Sequence, residues 1–352
     1  MKPRLVDWSI LALVGFQVLT GLTTFLMGNP REAWLFVVHG AGGIALLGLL
    51  YWKFRRVVRR VANPLRWSPG AALSVLIGLL SLATVGTGIL WAFGLLSERS
   101  FPTGVSLHAY LALLLFPLVA IHVLLRQRSL RREDFRGRRD ALRWLGLAGV
   151  GALALGGQAV ANRVLDSPGA RRRFTGSREL GTDGGNGAFP PTIWALDHPA
   201  RIDPDGWQLR VAGAVQNPLS LPYSEVRAHE EQLRATLDCT SGWYSTQDWE
   251  GIRVDQLLAR CRPSAEAGWV RFRSVTGYRW SLPIDEARDA LLATRVAGEP
   301  LAHYHGFPLR LVAPGRRGFQ WVKWVEGLDL LTAPDLGQWV VIFTSGLSEP
   351  QP

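Results

Sequence analysis

His305-Gly306-Phe307-Pro308-Leu309-Arg310, continued by Ala313-Pro314-Gly315 and Gly318-Phe319-Gln320-Trp321-Val322-Lys323-Trp324, decides the reading of this chain. A Gly-Phe-Pro turn sets a histidine and an arginine five positions apart, and a second glycine turn leads into a lysine between tryptophans. Upstream lies a cysteine in Leu237-Asp238-Cys239-Thr240-Ser241-Gly242-Trp243. These residue types offer a soft metal ligand together with cationic groups suited to an anion. Read alone, each is bland. His305 would be a turn histidine satisfied by its neighbours, and Arg316, Arg317 and Lys323 a solvated face.

The 352 residues allow two domains, each with its own core. Residues 1–160 carry long apolar runs, while the remainder has ordinary globular composition. The net charge of +11 would point to nucleic acid only if it lay on one soluble face. Here it clusters between apolar runs, so membrane topology accounts for it and no nucleic-acid partner is expected. Two cysteines, Cys239 and Cys261, make no disulfide framework; they form one disulfide or remain two buried thiols.

Four apolar runs, about 8–27, 33–52, 70–94 and 105–125, match the roughly 20 residues a bilayer-spanning helix needs. A fifth, 141–160, is richer in Ala and Gly. Lys53, Arg55, Arg56, Arg59, Arg60 and Arg66 fill the loop after the second run. Arg126, Arg128, Arg131, Arg132, Arg136, Arg138 and Arg139 fill the loop after the fourth. The positive-inside rule puts both basic segments and the N-terminus in the cytoplasm, with the C-terminal domain outside. Trp8, Trp34, Trp52, Trp67 and Trp144 fall near run ends, as interfacial tryptophans do. Arg138-Arg139 before a glycine-rich apolar stretch looks like a degenerate twin-arginine export signal. Arg163, Arg171, Arg172, Arg173 and Arg178 beyond the fifth run argue mildly the other way.

Histidines inside membrane helices are costly and mark function, against the plainer reading of a packing hydrogen bond. His39 lies in the second run, His108 and His122 in the fourth. His39 and His108 fall at a similar depth near the outer ends, as axial ligands of one b-type haem would. His122 is 14 residues from His108, close to four turns, and so on the same side at another depth. It serves a second haem or lies near a quinone. The first half resembles, in plan, the bacterial b-type cytochromes that partner periplasmic molybdoenzymes.

Residues 161–188 are rich in Gly, Arg and Ser and read as a linker. Beyond it, Trp207–Val215, Arg234–Leu237, Trp269–Ser274 and Leu309–Ala313 read as strands. Ser224–Gln232 and Val254–Arg260 read as short helices. Residues 189–335 resemble the molybdopterin domain of sulfite oxidases and bacterial periplasmic methionine sulfoxide reductases. The resemblance is strongest from Leu237 onward: Cys239 with Gly242-Trp243, Trp249-Glu250-Gly251, and the stretch from His305 to Trp324.

That resemblance implies Cys239 as molybdenum ligand and catalytic residue. It implies Ser274, His305 and Arg310 as pterin and phosphate contacts, and Trp321, Val322 and Lys323 as a backbone-plus-lysine phosphate cradle. Register with Cys239 is what makes those residues specific. Aligning Ile202-Asp203-Pro204-Asp205 puts Trp194 where sulfite oxidases carry a substrate-binding arginine, which disfavours sulfite. His305, in contrast, follows the sulfite oxidases; the sulfoxide reductases usually carry asparagine. The segment after Leu331 is too short for the sulfite oxidases' dimerisation domain.

The expectation is a membrane all-α bundle of about five helices (1–160), a linker (161–188) and a mixed α+β molybdopterin-binding domain (189–352). The chain would lie in a bacterial inner membrane, its C-terminal domain on the periplasmic side. Molybdopterin with molybdenum would transfer an oxygen atom from or to a small or protein-bound substrate, the chain acting as reductase of a sulfoxide-type compound. One haem b, or two, would link it to membrane quinone. A quinone-linked sulfite dehydrogenase is the alternative enzyme, and a cytochrome with an exported partner-binding domain the non-enzymatic alternative.

Overall fold

A computed structural model describes residues 2–63, 70–126, 129–134, 138–193 and 196–347. The chain forms two compact units, Met1–Arg178 and Glu179–Pro352.

The first unit holds α1 (Pro3–Thr24), α2 (Ala33–Val61), α3 (Ala71–Ala92), α4 (Gly104–Arg126) and α5 (Arg138–Val164). All five helices are long and apolar enough to cross a membrane. Their outward faces are greasy: Leu19, Leu79, Leu125 and Leu153 are exposed, whereas Thr20, Ser81 and Thr84 are buried. A water-soluble bundle would reverse that pattern. Val14, Leu46, Leu50 and Val85 form a small core where α1, α2 and α3 meet.

Two expectations need correction here. Lys53, Arg55, Arg56, Arg59 and Arg60 lie on the last turns of α2 and not in a loop. Arginine propagates a helix well, and Asp7 of α1 accepts from Lys53 at 2.9 Å and from Arg56 at 2.8 Å. Arg66, Trp67, Arg128 and Arg136 lie outside the described residues. The stretch read as linker is also not a free tether in its first part, because residues up to Arg178 fold with the bundle. The Arg172 guanidinium sits 3.7 Å from the centroid of the Trp91 ring. Arg178 pairs at 3.1 Å with Glu98, whose side chain is buried. Gly169 packs so closely on the Ala92 carbonyl that a Cβ there would sit 2.4 Å from the oxygen.

The second unit is built on two sheets. One runs β1 (Arg178–Glu179), β5 (Trp243–Arg253), β8 (Leu291–Val296), β10 (Arg310–Val312), with β4 (Glu231–Cys239) on β5 and β9 (Glu299–Pro300) on β8. The other runs β3 (Leu219–Pro222), β2 (Gln208–Gly213), β11 (Val325–Leu331), β6 (Trp269–Ser274), β7 (Arg279–Pro283). Short helices α6 (Tyr223–Arg227), α7 (Val254–Cys261), α8 (Ile284–Arg288) and α9 (Gln338–Thr344) join them. Helix α6 is shorter than the expected Ser224–Gln232, since Glu231 and Gln232 pair with Gly251 and Glu250 across the β4–β5 ladder. Pairing along a whole strand outweighs the weak helical preference of two residues.

The β4–β5 hairpin closes through Thr240-Ser241-Gly242, with Cys239 opposite Trp243. Gly242 takes φ 95° and its N–H donates to the Cys239 carbonyl at 3.0 Å, a geometry that favours glycine. The cysteine therefore sits at the end of a rigid strand. Cys261 closes α7 with its thiol fully buried, and burial pushes that thiol's pKa up. Neither cysteine is in a disulfide.

Gly251 sits at a register shift between β5 and β8, and a Cβ there would lie 2.1 Å from the Leu292 carbonyl oxygen. Gly251→Ala is expected to destabilise the second unit by about 1–3 kcal/mol or more, as overpacking against backbone does. Thermal unfolding of the purified full chain checks this; an unchanged midpoint would mean that the bulge relaxes freely.

Candidate active site

Cys239, His305, Arg310 and Lys323 come from three segments that the sheets bring together. The Cys239 side chain is 7 % exposed and its sulfur accepts weakly from the Ser241 amide at 3.5 Å. Arg310 opens β10, is 2 % exposed, and donates through Nη1 to the His305 carbonyl at 2.9 Å. Gly306 lies between the two cationic residues with φ 112°; a Cβ there would meet Lys323 Cβ at 3.1 Å and Arg310 Cβ at 3.2 Å. Only glycine allows that approach without strain.

The electrostatics describe a cationic pocket. Burial lowers the Arg310 pKa to about 10, with the Cys239 charge opposing. Burial and the neighbouring Arg310 charge bring Lys323 well below the usual amine range. Among the described residues no carboxylate pairs with Arg310, and its Nε is buried without a hydrogen-bond partner. Lys323 Nζ donates to the Thr192 and Tyr304 carbonyls at 2.8 and 2.7 Å, which holds it beside the turn.

His305 is 3 % exposed, and burial, then the charges of Arg310 and Lys323, lower its pKa to about 4. It is neutral at neutral pH. Its Nε2 lies 2.9 Å from the Asn186 carbonyl, which only accepts, so Nε2 carries the proton. Nδ1 is then an acceptor, buried and without a partner. Phe189 packs against the ring at 4.4 Å between centroids.

The remaining predicted residues divide. Ser274 is buried, and its Oγ accepts from the Thr276 amide at 3.3 Å. Val275 N donates to the Trp324 carbonyl at 3.1 Å, which brings this turn beside Lys323. The Trp321 amide is already engaged, donating to Gly318 O at 3.2 Å. Its indole instead walls the site, edge-on to Trp249 at 5.7 Å and 5.9 Å from the Arg310 guanidinium. The amides of Val322 and Lys323 make no backbone hydrogen bond among the described residues. Trp194 lies outside the described residues.

Sequence reasoning missed two residues. Asp238 and Arg317 are 1 % and 4 % exposed and pair at 3.3 Å beside Cys239. Arg317 Nη2 also donates to the Cys239 carbonyl at 3.2 Å. An arginine in a run of two, after a glycine, gives no sequence signal for burial.

This chemistry fits an anionic pterin cofactor bound through a metal thiolate. The orphaned Arg310 Nε and the amides of Val322 and Lys323 suit phosphate oxygens, and the His305 Nδ1 lone pair suits a ring N–H.

In the first unit the His39 and His108 rings lie 6.1 Å apart between centroids, at 89° to each other. His108 Nδ1 is 2.8 Å from the Thr84 carbonyl and so carries the proton. His39 Nδ1 is 3.0 Å from Thr20 Oγ1, whose own hydrogen goes to the Phe16 carbonyl at 2.9 Å; this nitrogen is protonated too. Each Nε2 is then a lone-pair donor. The two imidazoles, 6.1 Å apart between centroids, are residues that would hold a haem iron, which would supply one-electron chemistry there. Gly21 and Gly88 leave room for the rings, since a Cβ would meet His39 Cε1 at 3.2 Å and His108 Cε1 at 3.0 Å. His122 lies roughly 21 Å further along α4. Among the described residues no group of three or more His, Cys, Asp or Glu gathers as a metal site.

The family described as oxidoreductase molybdopterin binding domain matches residues 195–339. Oxidoreductase YuiH of Bacillus subtilis is 31% identical over 153 residues, 42% of this chain and 77% of that protein. The protein-methionine-sulfoxide reductase catalytic subunit MsrP of Xanthomonas axonopodis pv. citri is 35% identical over 137 residues, 33% of this chain and 42% of that subunit. Its counterpart from Gluconobacter oxydans is 31% identical over 147 residues, 36% of this chain and 47% of that subunit. The chain thus spans less than half the length of these reductase subunits. Among solved structures, the sulfane dehydrogenase SoxCD of Paracoccus pantotrophus matches 38% of this chain and 40% of its own, at 24% identity and a TM-score of 0.37. With three quarters of YuiH covered at this identity, the chain belongs to the family of enzymes with an oxidoreductase molybdopterin binding domain.

Proposed function

We propose that this oxidoreductase reduces a sulfoxide-type substrate by oxygen-atom transfer and draws its electrons from membrane quinol. The observation that carries the reading is a buried cysteine beside an arginine and a neutral histidine which, among the described residues, have no carboxylate partner and an unmatched acceptor nitrogen respectively. Likeness to sulfoxide reductase subunits supports the substrate class.

In this reading Cys239 ligates molybdenum and is the catalytic residue. Arg310, Lys323 and the amides of Val322 and Lys323 hold the cofactor's phosphate, His305 and Ser274 its pterin, and Trp321 walls the cavity. The bound metal supplies two-electron oxygen-atom chemistry. The chain's own part is orientation and exclusion of water: Phe189, Trp249 and Trp321 line the site with apolar surface, and the cationic groups are already in place before the cofactor binds.

The first unit would be a membrane anchor with haem b held by His39 and His108, and His122 at a second haem or a quinone site. Haem supplies one-electron exchange. Thr20 and Thr84 fix the imidazole tautomers, the task that outer-shell partners of metal-bound histidines perform. The charge pattern supports an inner-membrane location with residues 55–66 and 126–139 in the cytoplasm and the second unit outside.

Molybdenum near one atom per chain in purified protein, with turnover in a screen of sulfoxides, N-oxides and sulfite, tests the whole reading. Turnover of sulfite alone, in the oxidising direction, would replace it by a sulfite dehydrogenase. Cys239→Ser is expected to keep fold and pterin but lose turnover by more than the roughly 10–100-fold typical of outer-shell changes. Cys261→Ser should be nearly silent; equal loss in both would remove the ligand assignment.

His39→Ala and His108→Ala should each abolish the same low-spin haem absorbance, which His122→Ala spares. Both should retain turnover with a soluble artificial donor and lose it with quinol. Loss of that absorbance in His122→Ala alone would reassign the ligands.

Reporter fusions after Leu347 should be active only outside the cytoplasm. Activity confined to the cytoplasm would reverse the topology.

A further inference from the structure

We propose that Arg317 is a positioning residue that clamps Cys239, together with Asp238, onto the loop leading to the phosphate cradle; this rests on the reading of Cys239 as the metal ligand. Two contacts of the guanidinium and two of the adjoining backbone converge on Cys239. Arg317 Nη2 donates to the Cys239 carbonyl at 3.2 Å. Its Nη1 lies 3.3 Å from Asp238 Oδ1, and both side chains are almost wholly buried. The backbones of Asp238 and Arg317 form an isolated parallel β-bridge. The next residue, Gly318, backs onto the cysteine so tightly that a Cβ would lie 3.2 Å from Cys239 Cα.

The loop that follows is held from the same point. Arg317 N donates to Gln320 Oε1 at 2.9 Å, within the single 3-10 turn Gly318–Gln320 that delivers Trp321, Val322 and Lys323. One side chain thus ties the end of β4, which carries the thiol, to the segment that carries the cradle. The two are 78 residues apart in sequence. No other ion pair with both side chains this deeply buried occurs among the described residues. Such a pair is weak as a source of stability, because both charges lose their hydration, and it is better suited to fixing one geometry. A thiolate that would ligate the metal of a cofactor whose phosphate the cradle would hold needs that fixed distance between strand and loop. The Arg317 contact to the carbonyl sets the Cys239 backbone, and the Asp238 contact orients the guanidinium that makes it.

The test uses the full-length holoenzyme, with parent and Cys239→Ser as references. Arg317→Ala is expected to keep pterin content and cooperative unfolding. Its kcat should fall roughly 10–100-fold with KM within about twofold, the size seen for outer-shell partners of metal ligands. The cysteine-sulfur contribution to the molybdenum X-ray absorption spectrum should weaken toward that of Cys239→Ser. Asp238→Asn, which leaves the carbonyl contact intact, should lose less. Arg317→Lys should recover part of the spectrum and the rate. If Arg317→Ala fails to fold, the comparison of Arg317→Lys with Asp238→Asn carries the same readout. A parent-like spectrum and kcat in Arg317→Ala would overturn the clamp, as would equal loss of pterin and metal. Absence of molybdenum from the parent would instead overturn the reading of Cys239.

Discussion

A guanidinium buried to 2 % exposure, with no carboxylate to meet it among the described residues, is the constraint around which the second unit is built. Removing such a charge from water costs several kcal/mol even after relaxation. The fold offsets part of that through the His305 carbonyl and through the Trp249 and Trp321 rings, 5.5 and 5.9 Å from the charge. It then adds a second cation, Lys323, which raises the cost. Two basic side chains and a cysteine sulfur share one apolar enclosure, and two amides of the adjoining loop make no backbone bond among the described residues. An anion bound there would offset the lost hydration, so binding an anionic cofactor would also stabilise the fold by linkage. The two sheets matter mainly because they deliver β4, β10 and the loop before β11 to one place.

How much of this the sequence reveals follows from how each residue announces itself. Cys239, His305, Arg310 and Lys323 are legible because few other residue types perform their chemistry and because turns with glycine and proline fix their spacing. Asp238 and Arg317 are not, since an arginine after Pro-Gly-Arg looks solvated until the β-bridge buries it. The longest strand, β5, is hidden for a different reason. Its core-facing positions include Ser245 and Gln247, both fully buried, so the apolar alternation is broken. Those side chains donate to the Gly181 carbonyl at 3.2 and 2.6 Å, a use for polar groups that appears only in the folded chain. Glycine and arginine in the expected linker mislead similarly: the composition reads as tether, while the Arg172–Trp91 stack and the Arg178–Glu98 pair bind it to the bundle.

In the first unit hydropathy gives the number of helices, because all five are as long and apolar as a membrane span must be. It gives no pairing between them. The His39–His108 relation depends on which faces of α2 and α4 meet α1 and α3, and on glycines small enough to admit an imidazole.

The tautomers carry that argument a step further. With Nδ1 of each ring donating to an oxygen, each Nε2 keeps a lone pair. Two lone pairs on rings 6.1 Å apart, inside a bundle of apolar helices, do not satisfy each other. In the proposed membrane setting, lone pairs left unmatched would be costly. A haem iron held by both rings, as proposed above, would satisfy them. Thr20 and Thr84, each a buried residue on a neighbouring helix, are therefore as necessary to the proposed centre as the histidines. Without their oxygens each ring is free to turn or to change tautomer, and the two acceptors no longer coincide.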